Sequence, residues 1–261
     1  MRLLNPDFNL DHFFDVLTRS NRSALMLDYD GTLAPFVPDR DRAVPYQGIR
    51  ERLNRLQGVT ATRLVIVSGR QAKDIIPLLA LDGTPEIWGM HGAERRLPDG
   101  TIQVVQLPPE AAAGLDRIDS WAKEAGLTSL VERKATSRAF HWRGLPASEG
   151  REIHLRVTGA WSETSATFGL EVHEFDGGLE LKVAGIDKAR AVDQVIGELP
   201  ADAPLAYAGD DRTDEDAFAA LAGRGLRVLV RTQQRTTAAD LWLTPPEELL
   251  AFLDRWLQSV E

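Results

Sequence analysis

Asp28 and Asp30 stand two residues apart, behind the apolar run Ala24-Leu25-Met26-Leu27 and ahead of Gly31-Thr32. In an extended segment that spacing puts both carboxylates on one face. One can attack phosphorus while the other protonates a departing sugar oxygen and then activates water. A carboxylate nucleophile is already ionised at neutral pH and needs no base, but it is repelled by a phosphate dianion. Mg²⁺ removes that obstacle, since it takes oxygen ligands and sits on one or two carboxylates plus a substrate phosphate. Asp210, in Gly209-Asp210-Asp211, is the natural second carboxylate. Ser68, at the end of Leu64-Val65-Ile66-Val67, offers a hydroxyl to a phosphate oxygen, and a lysine would cover charge that the metal leaves. Phosphate monoesters hydrolyse so slowly that acid–base help alone is too weak, which is why covalent and electrostatic groups are needed together. Taken singly, each residue has a local explanation, because Asp and Ser commonly cap helices and form turns. Carboxylates converging from two strands, with a serine and a later lysine, are harder to explain that way.

These residues need a scaffold that brings strand ends together. The apolar runs 24–28, 64–67, 204–208 and 226–230 read as buried strands. The stretches 47–56, 71–79, 187–199, 214–221 and 246–257 between and after them read as helices. That alternation predicts an α/β core, a parallel sheet with helices on both faces, whose ligands bind beyond the carboxyl ends of the strands. The middle of the chain differs. Helical stretches 110–125 and 148–161 alternate with strand-like runs 129–134, 138–143, 170–174 and 179–183, the last two joined by Asp176-Gly177-Gly178. Tight turns between short runs predict antiparallel pairing. The expected organisation is a core of 1–107 and 184–261 with an inserted α+β domain at 108–183. Phe252 and Trp256, spaced i, i+4, read as core, Trp142 as packing, and Arg95-Arg96 beside Pro98-Asp99-Gly100 as an exposed hairpin.

The composition is that of an ordinary globular chain: 261 residues, 43% hydrophobic, 26% charged, net charge −9. An acidic chain is a poor non-specific partner for nucleic acid. With no cysteine, disulfides and thiolate metal sites are excluded. No signal peptide and no membrane-length apolar run is read, so a soluble, cytoplasmic and monomeric protein without membrane partners is expected.

Asp28-Tyr29-Asp30-Gly31-Thr32-Leu33 resembles the nucleophile motif of the haloacid dehalogenase-like (HAD) superfamily, with Ser68, Lys188 and Gly209-Asp210-Asp211 resembling its later motifs in order. Finer features resemble the trehalose-6-phosphate phosphatases: Gly89-Met90-His91-Gly92-Ala93-Glu94, Val131-Glu132-Arg133-Lys134 with His141-Trp142-Arg143, Glu180-Leu181-Lys182, and Gly209 through Glu215. The resemblance implies a Rossmann-like doubly wound core with a cap made by the insertion, and hydrolysis of trehalose 6-phosphate through an aspartyl-phosphate. It implies Asp28 as nucleophile and Asp30 as acid/base, with Ser68 and Lys188 on the phosphate. Mg²⁺ would be held by Asp28, the Asp30 carbonyl and Asp210, supported by Asp211 and Asp214. Glu132, Lys134, Arg138 and Glu180 would read sugar hydroxyls, and Arg70, His91 and Lys182 join the substrate-binding set. Other sugar phosphates, a receiver-like signalling domain and an inactive regulatory domain are the alternatives; an inactive relative would be expected to lose the Asp28/Asp30 pair.

Overall fold

A computed structural model describes residues 1–175 and 177–261, so Asp176 of the expected turn lies outside the described residues. The chain begins with β1 (Arg2–Leu3), α1 (Leu10–Arg19), β2 (Ser23–Asp28), α2 (Ile49–Gly58), β3 (Thr62–Val67), α3 (Ala72–Leu79), β4 (Glu86–Gly89), β5 (Glu94–Arg96) and β6 (Ile102–Val104). Next come α4 (Pro109–Glu124), β7 (Val131–Arg133), β8 (Ser137–His141), α5 (Ala147–Phe168), β9 (Leu170–Phe175) and β10 (Gly178–Val183). It ends with α6 (Ala189–Glu198), β11 (Leu205–Gly209), α7 (Asp214–Ala220), β12 (Leu226–Val230), β13 (Leu241–Leu243) and α8 (Glu247–Val260). These elements form two compact units, Met1–Val104 with Asp187–Glu261, and Val105–Ile186.

In the first unit nine strands are ordered β1-β13-β12-β11-β2-β3-β4-β5-β6. Six of them, β13 through β4, run parallel, with antiparallel strands at both edges. All six residues of β2 are buried, as a central parallel strand covered on both faces requires. Alternation divides them. Leu25 and Leu27 pack with residues of α1, α2, α3 and α8, whereas Ala24 and Met26 pack with residues of α6 and α7. The stripe Leu249, Phe252, Leu253, Trp256 and Leu257 buries one face of α8, with Phe252 and Trp256 fully covered. From β2 the chain winds outward through β3 and β4, then returns on the other side through β11, β12 and β13. The order reverses between β2 and β11, and such switch points open a crevice at the carboxyl ends of the strands.

The hairpin of β5 and β6 forms as expected, but Arg95 is not exposed. It lies over Trp88 at 5.3 Å and pairs with Glu86 at 2.8 Å and Glu198 at 2.7 Å. In the second unit the sheet order is β7-β8-β10-β9, every pairing antiparallel. Leu179, Leu181 and Phe140 are buried on one face, with residues of α4 and α5 also buried in this unit. Trp142 stacks on His154, ring centroids 5.3 Å apart and planes nearly parallel. Among the described residues no helix is long and apolar enough to cross a membrane.

Candidate active site

β2 ends on Asp28, and β11 ends one residue before Asp210, so adjacent parallel strands deliver the two carboxylates to the same end of the sheet. Both side chains are buried. One oxygen each from Asp28, Asp210 and Asp214 lie within 4.8 Å of one another. Lys188, immediately before α6, reaches into the group and donates to Asp28 Oδ1 at 2.8 Å and Asp214 Oδ1 at 2.7 Å. Three buried carboxylates face one ammonium here, with Arg231 reaching Asp210 Oδ2 only at 4.0 Å.

Burial pushes the Asp28 carboxyl well above its ordinary range; Lys188 opposes this, and Asp214 and Asp210 reinforce it. Asp210 is raised to about 7 by burial and then by Asp214 and Asp211. Burial also works against the Lys188 ammonium, but Asp214 and Asp28 outweigh it and hold the charge in place. Asp28 Oδ2 and Asp210 Oδ1 are buried with no hydrogen-bond partner. A buried acceptor left without a donor costs about 1–3 kcal/mol, more when charged. An oxygen-seeking divalent cation fits this donor set. Asp214 is placed differently: Tyr207 donates to its Oδ1 at 2.7 Å, and the amides of Asp210 and Asp211 donate to its Oδ2 at 2.9 and 3.0 Å. It therefore braces the loop that carries Asp210.

The remaining expected residues divide by what they touch. Asp211 accepts from the Thr213 amide and hydroxyl at 2.9 and 2.7 Å, a local turn contact. The Asp30 carboxylate takes both prongs of Arg70, at 2.6 and 2.5 Å, while a third Arg70 nitrogen donates to the Arg40 carbonyl at 2.7 Å. Arg70 is thereby engaged with the Asp30 carboxylate and a backbone carbonyl. Ser68 is buried, and its hydroxyl accepts from the Arg70 amide at 3.1 Å. His91 has φ +53°, following Met90 at +50°, two left-handed residues of the kind that cluster at functional sites. Its ring lies so close over Gly69 that a Cβ there would be 2.5 Å from Nε2. Gly31 answers a similar demand. Its φ is +88°, and a Cβ would lie 2.4 Å from the Asp210 carboxyl carbon.

In the second unit, cross-strand register sets Glu132, Ala139, Glu180 and His173 in one row across the sheet, with Lys182 opposite Ser137 on the same face. Lys134 donates to Glu180 at 3.1 Å, Ser137 to the same oxygen at 2.5 Å, and His141 meets Glu132 at 3.0 Å. Arg138 does not join them, which corrects its expected place among the sugar-reading residues. It is the partner of Leu181 in register, one residue out of phase with Glu180 and on the opposite face. There it pairs with Asp119 of α4 at 3.0 Å and ties down the carbonyls of Lys134 and Ser137.

Sequence reasoning passed over several residues of the site. Tyr207 holds Asp214 and shares a strand face with Asp28 by period-two alternation, a signal that β11 carried. Glu94 accepts from the Ala72 amide at 2.9 Å and so fixes the start of α3. Arg231 and Arg235 approach the Asp210 loop from the irregular segment after β12 and left no periodic signal.

The chain is similar in sequence and fold to known proteins. The sequence model of the trehalose-phosphatase family matches residues 26–245. A trehalose-phosphate phosphatase of Mycobacterium marinum is 34% identical over 253 residues, 90% of this chain and 61% of the relative. The Schizosaccharomyces pombe trehalose-phosphatase is 26% identical over 95% of this chain and 32% of its own. The chain thus spans about three fifths of the mycobacterial relative's length. Among solved structures, an Aspergillus fumigatus trehalose-6-phosphate phosphatase superposes with TM-score 0.74 at 22% identity, covering 98% of this chain and 99% of the other. The C-terminal domain of a Candida albicans trehalose synthase regulatory protein gives 0.72 at 16% identity, over 97% and 100%. With the family model spanning most of its length and a 34%-identical relative beside it, the chain belongs to the trehalose-phosphatase family.

Proposed function

We propose that the chain hydrolyses trehalose 6-phosphate to trehalose and phosphate through a phosphorylated Asp28. One observation carries the reading: Asp28 keeps one oxygen buried and unpartnered while Lys188 holds the other. In the first half-reaction that free oxygen forms a bond to phosphorus as the bond from phosphorus to the sugar oxygen breaks. The sugar oxygen takes a proton from Asp30. In the second, Asp30 removes a proton from water, whose oxygen attacks phosphorus and releases phosphate, restoring Asp28. Ser68 and Lys188 bind the phosphoryl oxygens. A divalent cation, taken as Mg²⁺, held by Asp28 and Asp210, with Asp214 bracing the loop, supplies charge neutralisation at the phosphate when bound. Recognition of the sugar hydroxyls is assigned to Glu132, Lys134, Glu180 and Lys182. A phosphorylated sugar is an anion that stays on its side of a membrane, so the cytoplasm is the compartment that goes with this substrate.

The test is a phosphate-release panel with Mg²⁺ or EDTA: trehalose 6-phosphate, glucose 6-phosphate, sucrose 6-phosphate and an aryl phosphate. Preference for trehalose 6-phosphate that EDTA abolishes is expected. Equal turnover on all four would remove the trehalose assignment and leave a general phosphatase. Activity surviving EDTA would remove the metal. No turnover on any of them would favour a regulatory role, as the name of the Candida albicans neighbour indicates for that protein.

A further inference from the structure

The loop that presents Asp210 is gripped from two sides. Its amides, those of Asp210 and Asp211, donate to Asp214. Its carbonyls are held by arginines from the segment after β12. Arg235 donates through Nε to the Asp210 carbonyl at 3.2 Å and through Nη2 to the Asp211 carbonyl. Arg231 donates to the Asp210 carbonyl at 3.3 Å. Arg235 is itself aimed by an ion pair with Glu215. Glu215 is fixed in turn by the Thr237 hydroxyl at 2.7 Å and the Ala238 amide at 2.9 Å. Three planar groups therefore touch the Asp210–Asp211 backbone, the Asp214 carboxylate and the Arg231 and Arg235 guanidiniums, and Glu215 aims the last of them.

We propose that Arg235 and Glu215 act as a positioning pair for the divalent-cation site, fixing the Asp210 main chain so that its carboxylate stays beside that of Asp28. The proposal rests on the reading of Asp28 and Asp210 as cation ligands. Neither residue of the pair offers an atom to the ion. A planar guanidinium suits the task, because its fork can hold two consecutive carbonyls and a carboxylate at once. It also sets a positive charge beside the acidic run Asp210, Asp211, Asp214, Glu215 and Asp216, whose mutual repulsion would otherwise open the turn. Removing a group that orients a ligand typically costs 10- to 100-fold in metal affinity.

The experiment measures Mn²⁺ binding to the metal-free full chain from the free-ion electron paramagnetic resonance signal. Wild type is compared with Arg235→Ala, Arg235→Lys, Glu215→Gln and the double variant Arg235→Ala/Glu215→Gln, with Arg55→Ala as a surface control. The Kd is expected to rise about 10- to 100-fold in Arg235→Ala and Glu215→Gln. It should rise less in Arg235→Lys, and no further in the double variant than in the worse single one, because the pair acts as a unit. With Mg²⁺ saturating, KM for the sugar phosphate should hold within about twofold, a split that general loosening of the fold would not produce. If wild type and Arg55→Ala bind Mn²⁺ and both Arg235→Ala and Glu215→Gln match them within twofold, the positioning role is overturned and the cation site stands. If wild type binds no Mn²⁺, the cation site fails and the pair loses its function with it. Glu215→Gln keeps the shape while removing the charge and one acceptor oxygen, so it keeps the test open should Arg235→Ala fold poorly.

Discussion

Lys188→Met removes the only ammonium in the buried carboxylate group while nearly preserving shape. Lys188 is 3% exposed and its nitrogen touches Asp28 and Asp214 at 2.8 and 2.7 Å. Breaking a buried ion pair by deleting one partner costs about 3–5 kcal/mol, because the other charge is left uncompensated. The two carboxylates share that loss unequally. Asp214 keeps the Tyr207 hydroxyl and two backbone amides, whereas among the described residues Lys188 is the only hydrogen-bond donor to Asp28. The lower end, about 3 kcal/mol, is therefore expected. For a unit of this size each kcal/mol moves Tm by roughly 2–4 °C, so thermal unfolding in EDTA at pH 7 should show a drop of about 6–12 °C. Mg²⁺ should shrink the deficit, since a cation on the same oxygens replaces part of the missing charge. Activity should fall by about 10²-fold or more, the typical cost of losing one preorganised electrostatic group. A Tm within 2 °C of wild type in EDTA would refute the reasoning: the carboxylates would then tolerate one another without Lys188.

Gly31→Ala meets both a left-handed φ of +88° and the Asp210 carboxyl at 2.4 Å, so it should lower Tm and cut kcat about 10²-fold. Gly58→Ala, with open space at its Cβ, should do neither, by the same assays. Arg70→Ala should lower kcat on the sugar phosphate about 10- to 100-fold and leave KM nearly unchanged, because Arg70 holds Asp30 with both prongs of its fork; a raised KM at constant kcat would instead return Arg70 to substrate binding. Glu198 answers to pH. Burial works against its charge, but Arg95, Gln194 and Arg63 outweigh it and hold the carboxyl down at about 2. A depressed carboxyl contributes stability above its unfolded pKa of 4.5 and loses it as pH falls toward 2. With 32% of the side chain exposed, solvent screening reduces the contribution to about 1 kcal/mol. Urea titrations of wild type and Glu198→Gln should therefore differ by about 1 kcal/mol at pH 7 and by less than half of that near pH 3.

The centre of the sheet was legible because central parallel strands must be apolar throughout, so Leu-Met-Leu-Asp and Val-Ile-Val-Ser announce both a strand and the residue at its end. The edges were not. β1 and β13 have two and three residues, too few to carry a period, and the β5–β6 hairpin was marked only by its Pro-Asp-Gly turn. Arg138 shows how a strand can be found and its chemistry misread. One residue of phase decides which face a side chain takes, and here register opposite Leu181 turns Arg138 toward Asp119 while Glu180 takes the other side. Arg235 was illegible for another reason. It acts from an irregular segment on carbonyl oxygens, and no residue pattern marks a carbonyl that needs a donor. Lys188 was recoverable only from the order of motifs, since a lysine opening a helix is ordinary by itself.

The C-terminal domain of a protein named a trehalose synthase regulatory protein stands among the structural neighbours, and a fold by itself does not settle function. What separates the two readings is energetic. A domain selected only for folding has no reason to bury three carboxylates around one lysine, and replacing such a group with apolar residues of similar volume is often neutral or stabilising. Here Tyr207, Gly31 and two backbone amides keep the carboxylates close, while two of their oxygens have no donor. Those two oxygens belong to residues on adjacent strands at the switch point of the sheet, where a phosphate and a cation would both be in reach. The fold therefore keeps carboxylate oxygens without a donor at the place where a cation can supply the missing charge.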